Sequence, residues 1–535
     1  MLVQRLGVGL ALTLSVLASP IDAAMAQKAG GILKLYHRET PPSASIHEEA
    51  TISTVAPFMA IYNNLVMFDP HQRKNSLDSI IPELADSWSW SEDRTKLTFK
   101  LHPGVKWHDG KLFTSADVKC TWDRLLGKDE AREMRLQKNP RKPWYWNLNE
   151  ITTKGDSEVT FHLGQPQPSF LALLAGGHSP VYACHVDAKT MRIKPIGTGP
   201  FKFVEMKQNE SITLAKNENY WKKGLPYLDG ITWTIVKSRS TRVLAFITGE
   251  FDVTFDSDIT VALEKDIHQQ SPNAVCDFTA TGVSANLIIN RDAPPFDNPK
   301  IRQALALTMD RASFNKILAE GKNVDGGAMM PPPDGVWGMP VEMLRTIPGY
   351  GEDVAANRAE ARKIMESLGY SAANPLKIKV ATRNIEVYRD PAVILIDHLK
   401  EIYVEAELDA IETGTWYGRI ARKEYQVGLN LTGTGIDDPD VNFFENYACG
   451  SERNYTGYCN EELNQLFKKQ AGMVDQTERR KLVWEIDRRL QVDQARPIIH
   501  HNNASTCWQP YVKNVSRHQN SIYNSWRMED WWMDK

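Results

Sequence analysis

Three short patterns in this chain are of the kind that carry out chemistry in enzymes. Gly197-Thr198-Gly199 suggests a phosphate-binding loop, but no Gly-Lys-Ser/Thr ending follows and Pro200 removes an amide donor. His47-Glu48-Glu49 lacks the second histidine of a zinc-protease helix, and His500-His501 would point to opposite faces of a strand. We therefore expect no enzyme, no cofactor and no metal site. A hydrolase whose site is assembled from distant residues stays open as an alternative.

Cysteine is the other reactive residue type, and it offers one local pairing. The six cysteines are Cys120, Cys184, Cys276, Cys449, Cys459 and Cys507. Only Cys449 and Cys459 are close in sequence, and closing a loop that short is worth about 2–3 kcal/mol in the chain-entropy model. Zinc binding is disfavoured because no Cys-x-x-Cys with accompanying histidines is present. We predict a Cys449–Cys459 disulfide and leave the pairing of the other four open.

The first residues predict the compartment. Arg5 precedes an apolar run over 6–18, and Ala24-Met25-Ala26 offers the small-x-small pattern that signal peptidase cleaves. The run is shorter than the roughly 20 apolar residues that a spanning helix needs, and the leader has no cysteine to carry a lipid. We expect a signal peptide over 1–26, a mature chain that begins near Gln27, and a periplasmic protein that does not span a membrane.

Length and charge narrow the class of protein further. A chain of 535 residues is too long for one compact core and should divide into two or three lobes. Its 63 basic and 66 acidic side chains give a net charge of -3, so electrostatics does not predict nucleic acid or a membrane surface as partner. The 15 Trp and 17 Tyr are compatible with an aromatic ligand cleft, although core packing would account for most of them.

The elements that must position any site can be predicted from periodicity and helix-start signals. Alternation of polar and apolar residues predicts strands over 32–36, 94–101, 158–163, 211–215 and 231–236. Helices are predicted over 51–68, from Asn298-Pro299 toward Gly321, from Asp390-Pro391, and over 477–493. Strands at 376–381, 405–411 and 427–431 lie between helices in the second half. This order predicts an α/β fold with a mixed or parallel sheet covered by helices.

Several segments, met in order along nearly the whole mature chain, are similar to a known family. The most specific is Pro82-Glu83-Leu84-Ala85-Asp86-Ser87-Trp88. The others in register with it are 97–110, 113–118, 197–201, 219–221, 295–304, 310–311, 438–440 and 454–458. Together they resemble the bacterial extracellular solute-binding proteins of the dipeptide, oligopeptide and nickel group.

The resemblance implies an architecture and a role. The fold would be the two-lobed periplasmic binding protein fold, class II-like and of cluster C, with an extra inserted subdomain. The implied parts are a first lobe from 27–66, 197–282 and 499–535, an insert at 67–196, and a second lobe at 283–498. Such a protein captures a solute between its lobes for an ATP-driven (ABC) importer. Its expected partners are the solute, the permease and the ATPase subunits, and we expect it to be a monomer.

The resemblance also indicates which residues would hold the ligand. Relatives that bind dipeptides use an aspartate for the amine and an arginine at the end of a second-lobe strand for the carboxylate. Arg383 stands at the arginine's place, unless it is a solvated loop residue, and a guanidinium can grip a carboxylate with two bonds. Gly435 stands at the aspartate's place, so Asp437 or Asp438 would have to substitute, or both are ordinary turn residues. The solute is predicted to be a peptide or peptide-like, with an opine, a sugar or a metal chelate as open alternatives.

Four further residues are predicted to contribute to the wall of the cleft. Glu39 opens a Pro-containing loop, and Asn64 lies near the expected hinge face. Trp416 and Thr434 lie close in sequence to the acidic loop that contains Gly435. Core packing is the alternative role for Trp416.

Overall fold

A computed structural model describes residues 27–128 and 131–535. The predicted signal peptide lies outside the described residues. The strands are β1 (Ile32–His37), β2 (Val66–Phe68), β3 (Ile80–Pro82), β4 (Ala85–Trp90), β5 (Lys96–Leu101), β6 (Leu148–Lys154), β7 (Glu158–Leu163), β8 (Phe201–Lys207), β9 (Ser211–Lys216), β10 (Gly230–Ile235), β11 (Val275–Ile289), β12 (Leu376–Arg383), β13 (Val404–Ile411), β14 (Val427–Gly433), β15 (Ile498–Trp508), β16 (Val512–Lys513) and β17 (Trp532–Met533).

The helices interleave with these strands throughout the second half of the chain. They are α1 (Ile52–Phe58), α2 (Ser115–Leu126), α3 (Phe170–Ala175), α4 (Ala188–Ile193), α5 (Arg239–Ile247), α6 (Val261–Gln270), α7 (Pro299–Leu307), α8 (Arg311–Ala319), α9 (Val341–Leu344), α10 (Val354–Ser367), α11 (Glu386–Lys400), α12 (Thr413–Ala421), α13 (Pro439–Asn446), α14 (Glu461–Ala471) and α15 (Gln476–Val492). Within the described ranges, none of the helices has the length and apolar composition needed to cross a membrane.

The sheet of the first lobe joins distant parts of the chain. Its strand order is β1-β10-β9-β8, and β1 pairs with β10 in parallel, from Ile32 opposite Gly230 to His37 opposite Ile235. Leu33 and Leu35 alternate with exposed or polar positions along β1 and are fully buried. Because β1 is paired with residues about 200 positions later in the chain, the start of the loop that follows it is fixed by this sheet.

The inserted subdomain is a second, antiparallel sheet of strand order β4-β5-β7-β6. The alternating pattern of β5 buries Leu97 and Phe99 on one face, where Phe99 meets Phe161 edge to face at 5.8 Å between ring centroids. Helix α2 covers this face, and Trp122 packs on Phe161 at 5.1 Å. The strand predicted over 94–101 begins only at Lys96, because the residues before it form a tight turn.

The sheet of the second lobe has the order β13-β12-β14-β11-β15. Strand β12 pairs in parallel with both β13 and β14, whereas β11 pairs antiparallel with β14 and with β15. The prediction of a mixed sheet covered by helices is confirmed. Strand β12 lies between β13 and β14, and its last residue, Arg383, is held opposite Ile411 of β13.

Strands β11 and β15 connect the two lobes. They pair from Val275 opposite Trp508 to Asn286 opposite Ile498, and the ladder is interrupted between Ala280 and Ser284. Gly282 lies in this interruption with a φ of +68°, and a Cβ there would lie 2.5 Å from the backbone oxygen of Asn520. Only glycine fits this position, because both the backbone conformation and the available space exclude a side chain.

The three disulfides account for all six cysteines. The predicted Cys449–Cys459 bridge is confirmed, with an S–S distance of 2.07 Å. Cys120 pairs with Cys184 inside the insert. Cys276 pairs with Cys507 across β11 and β15, at the end of these strands that belongs to the first lobe.

Three of the predicted helices have different bounds from those expected. The helix predicted over 51–68 ends early, because the residues after Tyr62 are extended and 66–68 pair with β3. The helix predicted from Asn298 toward Gly321 is two helices, because Asp310 leaves the helical conformation and caps α8 through Ser313 N. Pro391 does not open a helix but lies inside α11, where it removes only one intrahelical donor.

Candidate ligand-binding site

An ion pair between Glu39 and Arg383 joins the two lobes. Arg383 ends β12 and is almost fully buried, and its Nη2 lies 2.5 Å from Glu39 Oε1 in the loop after β1. Its Nε donates to Thr413 Oγ1 at 2.9 Å and its Nη1 donates to the Tyr388 hydroxyl at 2.7 Å. The guanidinium also lies over the Tyr388 ring, 4.6 Å from the centroid. Arg383 is therefore a buried, oriented cation and not a solvated loop residue.

The carboxylate of Glu39 is held in its charged form. Burial alone would raise the pKa of Glu39, but the guanidinium groups of Arg383 and Arg38 outweigh burial and lower it. Ser53 and Thr413 add to this effect by donating hydroxyl hydrogen bonds to the same carboxylate. Both partners of the inter-lobe pair are thus charged at neutral pH.

A cavity lies beside this pair, between the lobes. Its wall includes Arg38 and Tyr523 from the first lobe and Tyr388, Tyr417 and Arg453 from the second. Its volume is about 20 Å³, and a cavity needs roughly 10–15 Å³ to hold one water molecule. The described arrangement is therefore closed, and a solute larger than water can enter only when the lobes separate.

The disulfide-closed loop contributes one of the cavity residues. Arg453 lies between Cys449 and Cys459 and is buried. Its Nη1 pairs with one oxygen of Glu445, and Arg141 of the insert binds the other oxygen at 2.6 Å. The bridge therefore helps to fix a cation in the wall of the cavity.

The surroundings of Gly435 are filled by the insert. A Cβ on Gly435 would lie 3.2 Å from His178 Nδ1 and 3.6 Å from the ring of Trp144. Asn524 Nδ2 donates to the Gly435 carbonyl at 2.7 Å. Burial lowers the pKa of His178 well below its usual range, so its ring is neutral. At the place where the resemblance implies an amine-binding aspartate, the structure has a glycine beside a neutral imidazole.

The two aspartates after Gly435 have different surroundings. Asp438 caps α13 and is gripped by Arg479 through bonds of 2.9 and 2.7 Å. Asp437 accepts a bond of 2.9 Å from the backbone N–H of Val336 and lines a second cavity of about 400 Å³ between the insert and the second lobe. Burial and the charge of the neighbouring Asp438 together raise the pKa of Asp437 to about 7.

The other predicted wall residues take part in local packing. Asn64 donates to the carbonyls of Leu174 and Gly176 at 3.1 and 2.7 Å. Trp416 is fully buried in an apolar cluster of the second lobe, and the Thr434 N–H donates to Gly282 O at 3.0 Å. Among the described residues, the wall of the inter-lobe cavity does not include Asn64, Trp416 or Thr434.

Sequence reasoning missed several residues that the fold brings to the cavity. Arg38 is adjacent to the predicted Glu39, and Tyr388 follows Arg383 by five positions. Proximity in sequence to predicted site residues is the only local indication that these two could line the cavity. Tyr523 and Arg453 come from the C-terminal segment and the disulfide loop, and their proximity depends on tertiary structure alone.

Across residues 27–128 and 131–535, no group of three or more His, Cys, Asp or Glu side chains is arranged to hold a metal ion. His501 Nε2 instead lies 2.9 Å from the carbonyl oxygen of Gly327.

Comparison with known proteins identifies the family. A family model described as bacterial extracellular solute-binding proteins, family 5 Middle, matches residues 79–454. The dipeptide-binding protein DppE of Bacillus subtilis is 26% identical over 467 residues, which cover 82% of this chain and 81% of the relative. These matches confirm the predicted family.

Solved structures confirm the predicted two-lobed fold. The periplasmic binding protein DppA from Helicobacter pylori, in complex with the peptide STSA, has a TM-score of 0.82 at 22% identity, with 95% of this chain and 99% of that chain covered. The binding protein AgaA from A. tumefaciens R10, in complex with agropinic acid, has a TM-score of 0.79 at 22% identity, with 94% and 99% covered. At this level of identity the likeness concerns the fold alone.

Proposed function

We propose a function from one established premise: the chain belongs to the bacterial extracellular solute-binding proteins of family 5. The protein is the substrate-binding component of an ABC importer. It captures peptides or peptide-like solutes between its two lobes and delivers them to the membrane permease, whose transport the ATPase subunits drive. The names of its relatives, which include a dipeptide-binding protein, support this proposal.

The observation that carries the proposal is the buried contact between the lobes at Glu39 and Arg383. It lies beside a cavity whose wall comes from both lobes, and the lobes are connected by the strands β11 and β15. A solute bound there contacts both lobes at once, so its binding energy favours the closed arrangement. A permease that recognises the closed arrangement would then distinguish a loaded from an empty receptor.

Arg383 is the candidate partner for a carboxylate of the solute. In the described arrangement Glu39 supplies the carboxylate, while the tyrosine and threonine hydroxyls orient the guanidinium. Burying a guanidinium without a negative partner would cost several kcal/mol. Pairing with Glu39 reduces this cost for Arg383 when the lobes are closed. The solute carboxylate reaches Arg383 when the lobes are apart and shares the guanidinium with Glu39.

The location and assembly follow from the same role. The protein acts in the periplasm after removal of residues 1–26 as a signal peptide, and it works as a monomer that docks on the permease. Sequencing of the N-terminus of the secreted protein tests the cleavage, since a mature chain that begins near Gln27 is expected.

Ligand screening by thermal unfolding tests the proposed function. The melting temperature of the purified mature protein should rise with the logarithm of the ligand's excess over its Kd. The panel comprises di- and tripeptides, acylated peptides, opines, sugars and metal chelates. Native mass spectrometry of the protein as purified provides a second readout. Absence of any shift across the panel, together with absence of any co-purified small molecule, would contradict a receptor.

A further inference from the structure

Arg38 is a buried cation whose charge is not compensated. It follows β1 directly, is only 4% exposed and lines the inter-lobe cavity. Its guanidinium lies over the Phe255 ring at 4.8 Å. Within the described part of the chain, its Nε and Nη1 are buried and have no hydrogen-bond partner. Burial and the nearby charge of Arg383 both lower the pKa of Arg38, which reflects this unfavourable environment.

The two carboxylates whose charges act on Arg38, those of Glu39 and Asp258, are each already paired with another arginine. Glu39 pairs with Arg383 and accepts from Ser53 and Thr413. Asp258 is gripped by Arg242 through two bonds of 2.8 Å. Arg242 also lies 3.5 Å from Glu386. Among the described residues, Arg38 is therefore the guanidinium of this group that forms no ion pair, while Arg383 and Arg242 each have a carboxylate partner.

The opposite wall of the cavity repeats this imbalance. Arg141 and Arg453 share the single carboxylate of Glu445, and Arg453 lines the cavity. The imidazole of His178, which packs against the cavity residue Tyr523, is neutral because burial lowers its pKa. This second group has two guanidinium ions on one carboxylate, and a third buried guanidinium, that of Arg496, donates to the Arg453 carbonyl at 2.9 Å.

Each lobe thus presents one uncompensated positive charge to a shared, closed space. An uncompensated charge that is shielded from water is unfavourable, and an anion that enters the space removes the penalty. Among the described residues, the wall of this cavity includes no Asp or Glu. A positively charged amine in the cavity would therefore add a further positive charge to those of Arg38 and Arg453.

We propose that the captured solute has two carboxylate groups and no charged amine: Arg38 of the first lobe binds the side-chain carboxylate, and Arg453 of the second lobe shares the terminal carboxylate with Arg383. This inference rests on the proposed function, because it assumes that the inter-lobe cavity is where the solute binds. An acidic peptide with an acylated amino end has the required chemistry. Because its two acid groups contact different lobes, the same contacts that compensate the charges also close the receptor.

Four compounds that differ by single groups test the proposal. They are N-acetyl-alanyl-glutamate, N-acetyl-alanyl-glutamine, alanyl-glutamate and alanyl-glutamine, each titrated into the mature protein by calorimetry. The first, with two carboxylates and no amine, should bind at least tenfold more tightly than each of the others. If alanyl-glutamine binds as tightly as N-acetyl-alanyl-glutamate or more tightly, the inference is wrong, whereas the proposed receptor function is unaffected. If none of the four binds, the inference is also wrong, and the function then depends on the wider panel.

A substitution at Arg38 separates ligand binding from a structural role. Arg38→Gln should weaken N-acetyl-alanyl-glutamate at least tenfold and leave N-acetyl-alanyl-glutamine within about twofold, where 1.4 kcal/mol corresponds to a factor of ten. The melting temperature of the ligand-free variant should not fall, since the substitution removes an unpaired buried charge. Arg38→Met provides a second neutral variant.

Arg345→Gln, which removes an exposed guanidinium paired with the exposed Glu352, is the matched control. It should change neither the affinity for the two acetylated compounds nor the melting temperature. Arg38 is structural, and the inference fails, if both neutral variants unfold at lower temperature and weaken the two acetylated compounds equally.

Discussion

Glu39 Oε1 and Arg383 Nη2 lie 2.5 Å apart, although 344 positions separate the two residues in the chain. Glu39 belongs to the loop after the first strand, and Arg383 ends β12, an internal strand of the second-lobe sheet. Because no local interaction connects them, their contact reports directly whether the lobes are closed. The same guanidinium is the candidate for binding a solute carboxylate, so closure and recognition involve one side chain.

Arg383→Ala should weaken carboxylate ligands far more than the corresponding amides. Loss of the guanidinium removes a charge-assisted hydrogen bond to the carboxylate, which is worth about 1.5–3 kcal/mol. Calorimetric titration with an acid and its amide measures the difference. Arg389→Ala, which removes an arginine from the more exposed side of α11, is the control. Equal losses for acid and amide would remove Arg383 from the site.

Asp437→Asn should make the protein more stable in mildly alkaline solution and change it little in acid. The folded protein holds the pKa of Asp437 at about 7, whereas an unfolded aspartate titrates at about 3.9. The folded state therefore binds more protons in this window, and the free energy of unfolding falls as pH rises from about 4 to about 7. Asparagine removes this loss.

Melting temperatures of both proteins at pH 5 and pH 8 provide the measurement. The gain of the variant over the wild type should be larger at pH 8 than at pH 5. Asp397→Asn, at an exposed aspartate, should show no such dependence. Parallel curves for the Asp437 variant and the wild type would mean that this carboxylate is charged in the folded protein.

Gly282→Ala should destabilise the connection between the lobes. Its positive φ of +68° and the oxygen of Asn520, 2.5 Å from the added Cβ, both oppose a side chain. Gly249→Ala is a matched control, because Gly249 has a φ of +80° but no atom within 4 Å of its added Cβ. The control should cost about 1 kcal/mol for the backbone conformation alone, and Gly282→Ala should cost more. Denaturant unfolding of both variants measures the two costs, and equal values would contradict the close packing.

Removal of the Cys449–Cys459 bridge should affect the cavity as well as stability. The double variant Cys449→Ser, Cys459→Ser opens a loop with a sequence separation of 10 and should lose about 2–3 kcal/mol of stability. It should also weaken ligand binding, because Arg453 lies within the loop. Unchanged affinity in a folded double variant would show that the bridge does not position Arg453.

Local patterns predicted much of the scaffold. Alternation along 97–101 and 158–163 follows from the fact that one face of each strand is buried, which a short sequence already records. Helix bounds were less accurate, because the break at Asp310 and the early end of α1 depend on capping and pairing with other segments. The Cys449–Cys459 pairing was predictable since it closes a short loop, whereas the other two bridges join segments 64 and 231 positions apart.

The site was predictable only where one side chain could be assigned by resemblance. Arg383 was identified in this way, and Glu39 was included as a wall residue, but their pairing was not foreseen. Arg38 and Arg453 have no distinguishing local pattern. Whether each of them has a carboxylate partner depends on the fold, because the possible partners come from distant segments of the chain.

The Cys276–Cys507 bridge changes how the chain responds to proteolysis. It converts the 231-position stretch between these residues into a covalent ring that contains the whole of the second lobe, residues 283–498. A protease that nicks any one peptide bond within this ring opens it without separating the two ends, so both pieces remain attached to the first lobe. The lobe that closes over the solute therefore survives a single cleavage in place, and only a second cut or reduction of the bridge can release a fragment.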